Sequence, residues 1–340
     1  MGSSHNHAPA PEAAFAAAFR DAADPTGVVR FDAFMALALY DPTLGYYRRN
    51  QSRVGRSADT DFYTSTSSGP LFGELIAAAA AELLGPTEAA THTFVELGAE
   101  GGRGVLPASG TPFVRHRTVA VGEPFALTGP CVVFSNELFD AQPFRRFRLG
   151  PAGWEEGHVA INEDGTLTEI HRPVDQLPFA LPDDVALPAG YRIDWSEAAI
   201  ALAREIASAP WHGLFIAIDY GKSWWELATQ TPAGTGRAYR RHQQSNALLA
   251  QPGHQDITSH VCWDDLSTAL TDGGFTVAPV CSQESFLVKN AGGFLAKVLA
   301  EEGGNFSARK QSIMQLLHPG NLGQKFQVLH ARRQTAENSP

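Results

Sequence analysis

The chain has 340 residues, a formal net charge of -10, 44% apolar residues and 18% charged residues. That apolar share excludes a disordered or collagen-like chain, because enough surface can be buried to offset the entropy of ordering. Three scattered cysteines (Cys131, Cys262, Cys281) without a CxxC exclude a disulfide scaffold and a cysteine zinc site, and the acidic balance speaks against nucleic acid as the main partner.

Residues 9–23 are Ala-rich and read as a helix stopped by Asp24-Pro25. A second helix is predicted over 30–40, with Phe31, Phe34, Met35 and Ala38 on one face and Asp41-Pro42 as its stop. Residues 48–69 are polar and rich in Gly and Ser, and loops of that length are usually functional or disordered. Pro70 opens a helix over 71–84 that ends at Gly85-Pro86. Glu74 and Glu82 interrupt it, so no stretch reaches the ~18 apolar residues of a membrane span. The start of the chain lacks the basic-then-apolar pattern of a secretory signal, which predicts a cytoplasmic protein without a membrane partner.

The centre alternates short apolar runs with Gly-rich turns. Strands are predicted at 93–97, 118–121 and 131–134, and a hairpin at 144–149 and 154–162 turning at Gly150-Pro151. Asp194-Trp-Ser196 caps a helix reaching 208, and a buried strand over 214–218 ends at Asp219-Tyr220-Gly221. The basic run 236–242 alternates like a strand. A helix at 263–271, a strand at 275–280, helices at 292–300 and 308–317, and a strand at 326–331 complete the chain. Apolar strands separated by helices predict an α/β core with a mostly parallel sheet covered on both faces. The expected division is a helical N-terminal lobe with a covering loop (1–90), a core (91–142 and 210–335) and a β-rich insertion with a helix (143–209).

Four places carry chemistry-bearing residues. The first is Phe94-Val-Glu-Leu-Gly-Ala-Glu-Gly-Gly-Arg-Gly104, a strand entering a Gly-rich turn. Such a turn lets backbone approach a ligand at a strand's carboxyl end, or is a plain surface turn. In Asn136-Glu-Leu-Phe-Asp140, Glu137 and Asp140 would share one face of a helical turn and could hold a guanidinium. The plainer reading, an Asn136 N-cap with a solvated first turn, is favoured by spacing alone. Asp219-Tyr220 ends another buried strand and reads evenly as a site or a strand-to-helix turn. For His254 to His260 the plainer reading, Asp256 as a helix cap, is preferred; no metal is expected.

Taken together, these stretches resemble the MidA family of S-adenosylmethionine-dependent methyltransferases. The resemblance rests on Phe34–Tyr47, Asp61-Phe-Tyr-Thr-Ser65, Gly69–Glu74, Glu96-Leu-Gly98, Asn136–Pro143, Ile218–Gly221, Arg237–His242, Gln255–Val261 and His318–Phe326, in family order. It implies a class I, Rossmann-like methyltransferase core with S-adenosyl-L-methionine as cofactor. It further implies a protein substrate or partner offering a cationic side chain, an arginine above all. By the same carry-over Glu96, Gly98, Gly102 and Gly104 bind the cofactor, and Asp61, Tyr63, Thr64 and Ser65 cover it. Asn136, Glu137, Asp140, Asp219 and Tyr220 stand beside the transferred methyl.

Two departures from the family pattern are visible. The loop is longer and brings in Glu100. Only one strand fits between Gly104 and Cys131. In one alignment it is the second strand of the core, with Glu123 as the ribose-binding acid. In the other it is the third strand, and the second strand, its helices and the ribose acid are missing. The second alignment is favoured, because the run into Cys131 looks like the family there. Two functions are therefore expected: a working methyltransferase, or a degenerate relative that binds a partner without methyl transfer. A shortened sheet would bare an edge, which the N-terminal lobe or a second subunit of a homodimer would cover.

Overall fold

The computed structural model describes residues 11–49, 65, 69–99, 102, 104–183, 185–304 and 307–334. The chain divides into two compact units. One comprises 1–62, 140–200 and 222–264; the other comprises 63–139, 201–221 and 265–340. The sequence placed these boundaries differently: the Pro70–Leu84 helix belongs with the core, and 222–264 belongs with the N-terminal segment.

The second unit is built on a seven-stranded mixed sheet. Arg115–Val119, Thr93–Leu97, Gly129–Asn136 and Trp211–Asp219 lie side by side in that order, all parallel. Gln327–Arg333 joins antiparallel beyond Trp211–Asp219, and the two-residue strands Thr276–Val277 and Cys281–Ser282 pair with its other side. The central strands are apolar along their length because both faces are buried; Val95, Val132, Val133, Phe134, Phe215 and Ile216 are all inaccessible. Phe94 lies between Phe113 and Phe134, with ring centroids 5.2 and 5.7 Å away, and Phe72 approaches Phe134 at 6.3 Å. Truncating one such ring typically costs ~3–5 kcal/mol.

Pro at the first position starts the Pro70–Leu84 helix, and Leu71, Phe72, Leu75, Ile76, Ala79 and Ala80 bury its inner face. Gly73 is required within it: a Cβ there would stand 1.9 Å from the Val105 carbonyl oxygen. The helix thereby packs directly onto the exit of the Gly-rich loop. Among the described residues no helix is long and apolar enough to cross a membrane.

The first unit carries helices Ala13–Ala22 and Phe31–Tyr40, whose buried residues form one core with Phe144 and with Val159 and Leu167 of an antiparallel sheet. In that sheet Val28–Arg30, Gly153–Ile161, Arg145–Gly150 and Arg192–Trp195 follow one another, and Leu167–Pro173 pairs with Gly153–Ile161. Arg146 bonds Asp194 at 2.9 Å and Glu169 at 3.0 Å while its guanidinium lies 5.1 Å from the Phe31 ring centre. Gln243–Ser245, Arg237–Arg240 and Asp256–Thr258 form a separate three-stranded sheet, so the basic run is a strand over Arg237–Arg240, while Arg241 and His242, at φ 47° and 60°, form the turn that follows.

Three expectations need correction. The strand foreseen at 118–121 lies at Arg115–Val119. It pairs directly with Thr93–Leu97, on the side away from Gly129–Asn136. That is the second strand's place, so the topology supports the alignment that was not favoured. Asp256 caps no helix; it starts a strand and its Oδ1 accepts from the Tyr47 hydroxyl at 2.9 Å. The segment after Asn136 is not helical, because Glu137 adopts φ 53°, which turns the chain away from a helix.

Candidate active site

In the second unit the carboxyl ends of four parallel strands collect most of the residues the sequence singled out. Thr93–Leu97 delivers Glu96 and the Gly98 turn. Gly98 has φ 82°, and a Cβ on it would meet the Leu138 side chain at 2.9 Å. Only glycine suits both the conformation and the space. The amides of Gly98 and Ala99 both donate to the Val119 carbonyl, at 2.9 and 3.0 Å, which hooks the turn onto the end of the neighbouring strand. That neighbour then turns at 120–123, where the Glu123 amide donates to the Ala120 carbonyl and the Glu123 carboxylate accepts from the Ala120 amide at 3.2 Å. Glu123 is exposed and follows the second strand's end.

Glu96 is 7% exposed, and its Oε2 accepts from the Val105 amide at 2.6 Å. Burial pushes its carboxyl up to about 7, outweighing the opposing hydrogen bond. Gly104 sits against it: a Cβ there would stand 2.9 Å from Thr118 Cγ2 and 3.1 Å from Glu96 Oε2. Glu96 therefore ties the loop's exit back to the strand that begins the loop. Gly102 has φ 69° and open space around it.

On the other side of Thr93–Leu97, Gly129–Asn136 ends in Asn136 and Glu137. The Glu137 amide donates to the Ile218 carbonyl at 2.9 Å, and Asn136 Nδ2 donates to Glu137 Oε1 at 2.9 Å. Asn136 Oδ1 is buried and has no hydrogen-bond partner among the described residues. Asp219 is fully buried; its Oδ2 accepts from the Phe139 amide and its Oδ1 from the Tyr220 amide, at 2.9 and 2.8 Å. It fixes the backbone of two strand ends. The Tyr220 ring packs on Phe326, with centroids 4.2 Å apart.

A family model described as "Putative S-adenosyl-L-methionine-dependent methyltransferase" matches residues 115–280. The mitochondrial protein arginine methyltransferase NDUFAF7 of Danio rerio is 25% identical, over 89% of this chain and 83% of its own length. A crystal structure from Burkholderia thailandensis bound to S-adenosyl-homocysteine is similar at a TM-score of 0.80 and 27% identity, covering 94% of this chain and 92% of that one. The chain is thus similar in sequence and fold to S-adenosylmethionine-dependent methyltransferases. A second Burkholderia thailandensis structure, of an uncharacterized protein, is similar at a TM-score of 0.78 and 25% identity, covering 94% and 91%.

The predicted site residues fall in both units. Glu96, Gly98, Gly102, Gly104, Glu123, Asn136, Glu137, Asp219 and Tyr220 belong to the sheet unit. Asp140 belongs to the other unit, where its carbonyl accepts from the Ser259 amide at 2.9 Å; burial raises the hydroxyls of Tyr40 and Tyr47, with smaller contributions from the charges of Asp256 and Asp140. Asp61, Tyr63, Thr64 and Glu100 lie outside the described residues. Ser65 is buried, and its Oγ donates to Gln283 Oε1 at 2.9 Å. Sequence reasoning missed Gln283, Thr118 and the structural demand on Gly73. Only Gly73 left a signal, a glycine inside an otherwise Ala- and Leu-rich helix.

His260 lies in the first unit. Its Nδ1 is buried without a hydrogen-bond partner among the described residues. Burial, with Lys222 and Arg237 nearby, pushes the imidazole down to about 4. Among the described residues no group of three or more His, Cys, Asp or Glu is placed to hold a metal ion.

Proposed function

We propose that this chain binds S-adenosyl-L-methionine at the carboxyl ends of its parallel strands and transfers the methyl group to a nitrogen of a protein side chain, an arginine above all. The observation carrying this reading is the Gly98 turn hooked onto Val119, which sets Glu123 at the adjacent strand end. Ligands of open parallel sheets bind at such carboxyl ends. The donor set fits the cofactor. A glycine cradle suits close approach, Glu123 suits ribose hydroxyls, and the Glu96 carboxyl suits an ammonium group.

When bound, the cofactor supplies a methyl carbon already activated by its sulfonium, so the protein needs no covalent nucleophile. What the chain adds is orientation and charge placement. Asn136 Oδ1, buried and without a hydrogen-bond partner among the described residues, would accept from an N–H of the incoming side chain and so orient its nitrogen. Glu137, held by Asn136, would offset the positive charge of a guanidinium. Asp219 is a positioning residue: it holds the Phe139 and Tyr220 amides and thus the strand ends on which Asn136 and Glu137 stand.

The test is calorimetry of the purified chain with S-adenosylmethionine and S-adenosylhomocysteine, followed by transfer of a labelled methyl group to protein. Micromolar binding that Gly98→Val abolishes is expected. Absence of heat from both ligands at high micromolar concentration would instead favour a partner-binding relative without methyl transfer. The single strand between the Gly-rich loop and Gly129–Asn136 is the observation that speaks for that second reading.

A further inference from the structure

The seven-stranded sheet stops at Arg115–Val119, which among the described residues pairs on one side only. Arg115, His116 and Arg117 are exposed in succession, and Val114 before them is 55% exposed. Residues 114–117 are thus exposed at the start of this edge. The register shows which backbone groups face outward. Val119 accepts from the Gly98 amide and so faces its neighbour. With the two-residue alternation of a strand, His116 and Thr118 present their N–H and C=O groups to the open side. Such a row is a template for another strand.

Charge narrows what can pair there. In a chain of net charge -10, this edge places two guanidinium groups and an imidazole in three consecutive residues. Arg117 spends one N–H on the Ala126 carbonyl and keeps its charge. A second copy pairing through the same edge would set arginine near arginine, and like charges facing one another across strands destabilise the pair. Acidic side chains facing the same positions would be attracted.

We propose that this edge docks an extended acidic segment of a partner protein by strand addition. Main-chain hydrogen bonds at His116 and Thr118 give the affinity, and Arg115 and Arg117 give the preference for glutamate or aspartate. The inference does not depend on methyl transfer, since the backbone groups it uses at His116 and Thr118 face away from Thr93–Leu97.

The test uses the full chain and two labelled, end-blocked nonapeptides, one alternating valine with glutamate and one alternating valine with lysine. Fluorescence anisotropy reads binding, and amide hydrogen exchange reads protection at 116 and 118. The glutamate peptide should bind at least tenfold tighter than the lysine peptide, weaken with added salt, and slow exchange at both amides. Arg115→Glu with Arg117→Glu should reverse the preference. His116→Pro, which removes an outward N–H, should weaken the glutamate peptide at least tenfold. Unchanged thermal melting of both variants shows that the fold survives. Binding of neither peptide, equal binding of both, or binding without protection at 116 and 118 would overturn the proposal and leave the arginines as a guard against aggregation.

Discussion

Replacing Glu96 with glutamine tests the site from a buried carboxyl. The substitution keeps an oxygen that can accept from the Val105 amide and removes only the ionisation. Burial holds the folded carboxyl near 7 against an ordinary value of 4.5. The unfolded chain therefore ionises first as pH rises. Stability is fully present below pH 4.5 and is lost as pH climbs through the folded value. At ~1.4 kcal/mol per pH unit, the loss approaches roughly 3 kcal/mol above pH 7. Glu96→Gln escapes that loss, so it should match the parent at pH 4.5 and exceed it by up to about 3 kcal/mol at pH 8. Urea unfolding at half-unit pH steps, without ligand, measures the difference. The same variant should bind S-adenosylhomocysteine at least tenfold more weakly at pH 8, because the carboxylate proposed to meet the ammonium is gone. A stability difference that stays flat from pH 4.5 to 8, or a variant weaker than the parent at pH 8, would refute the burial argument.

Gly73→Ala should lower stability by about 2–4 kcal/mol, read as a shift in the urea midpoint, because its methyl would occupy the space of the Val105 carbonyl. Asp219→Ala should cost ~2–4 kcal/mol in thermal or urea unfolding by leaving the Phe139 and Tyr220 amides buried without their acceptor. It should also reduce methyl-transfer kcat more than it changes cofactor affinity. For His260 the folded value lies below the ordinary one, so stability is full above pH 6.5 and falls as pH drops toward about 4. His260→Gln should flatten that acid limb, by up to about 3 kcal/mol at pH 4, in urea midpoints taken from pH 7 to 4.

Where local chemistry alone decides an element, the sequence was readable. Pro70 and Gly85 bracket a helix of small and apolar residues, and Thr93–Leu97 is an apolar run stopped by Gly98. Leu167–Pro173 escaped notice because its residues are mostly polar; it is a strand by virtue of its antiparallel pairing with Gly153–Ile161. Arg115–Val119 is similar: three basic residues do not spell a strand, and its parallel neighbour makes it one. That pairing also supports the alignment that spacing had not favoured. For the site, the glycines and strand-end carboxylates were visible because the chemistry needs those residue types. Their grouping was only partly visible. The left-handed turn at Glu137 breaks the helical spacing that seemed to join it to Asp140, and no local pattern announces that turn.

The strand Gln327–Arg333 lies inside the sheet although it comes last in the chain. During synthesis, Trp211–Asp219 leaves the ribosome roughly a hundred residues before its antiparallel partner. At ~5–20 residues per second that interval is on the order of 5–20 s. Throughout it, one of the most apolar strands of the protein has an unpaired edge. Unless that edge is shielded, nascent chains are exposed to misassociation for this whole period. A chain truncated before Gln327 would keep its candidate site residues in sequence and lose the strand that completes the sheet beneath them.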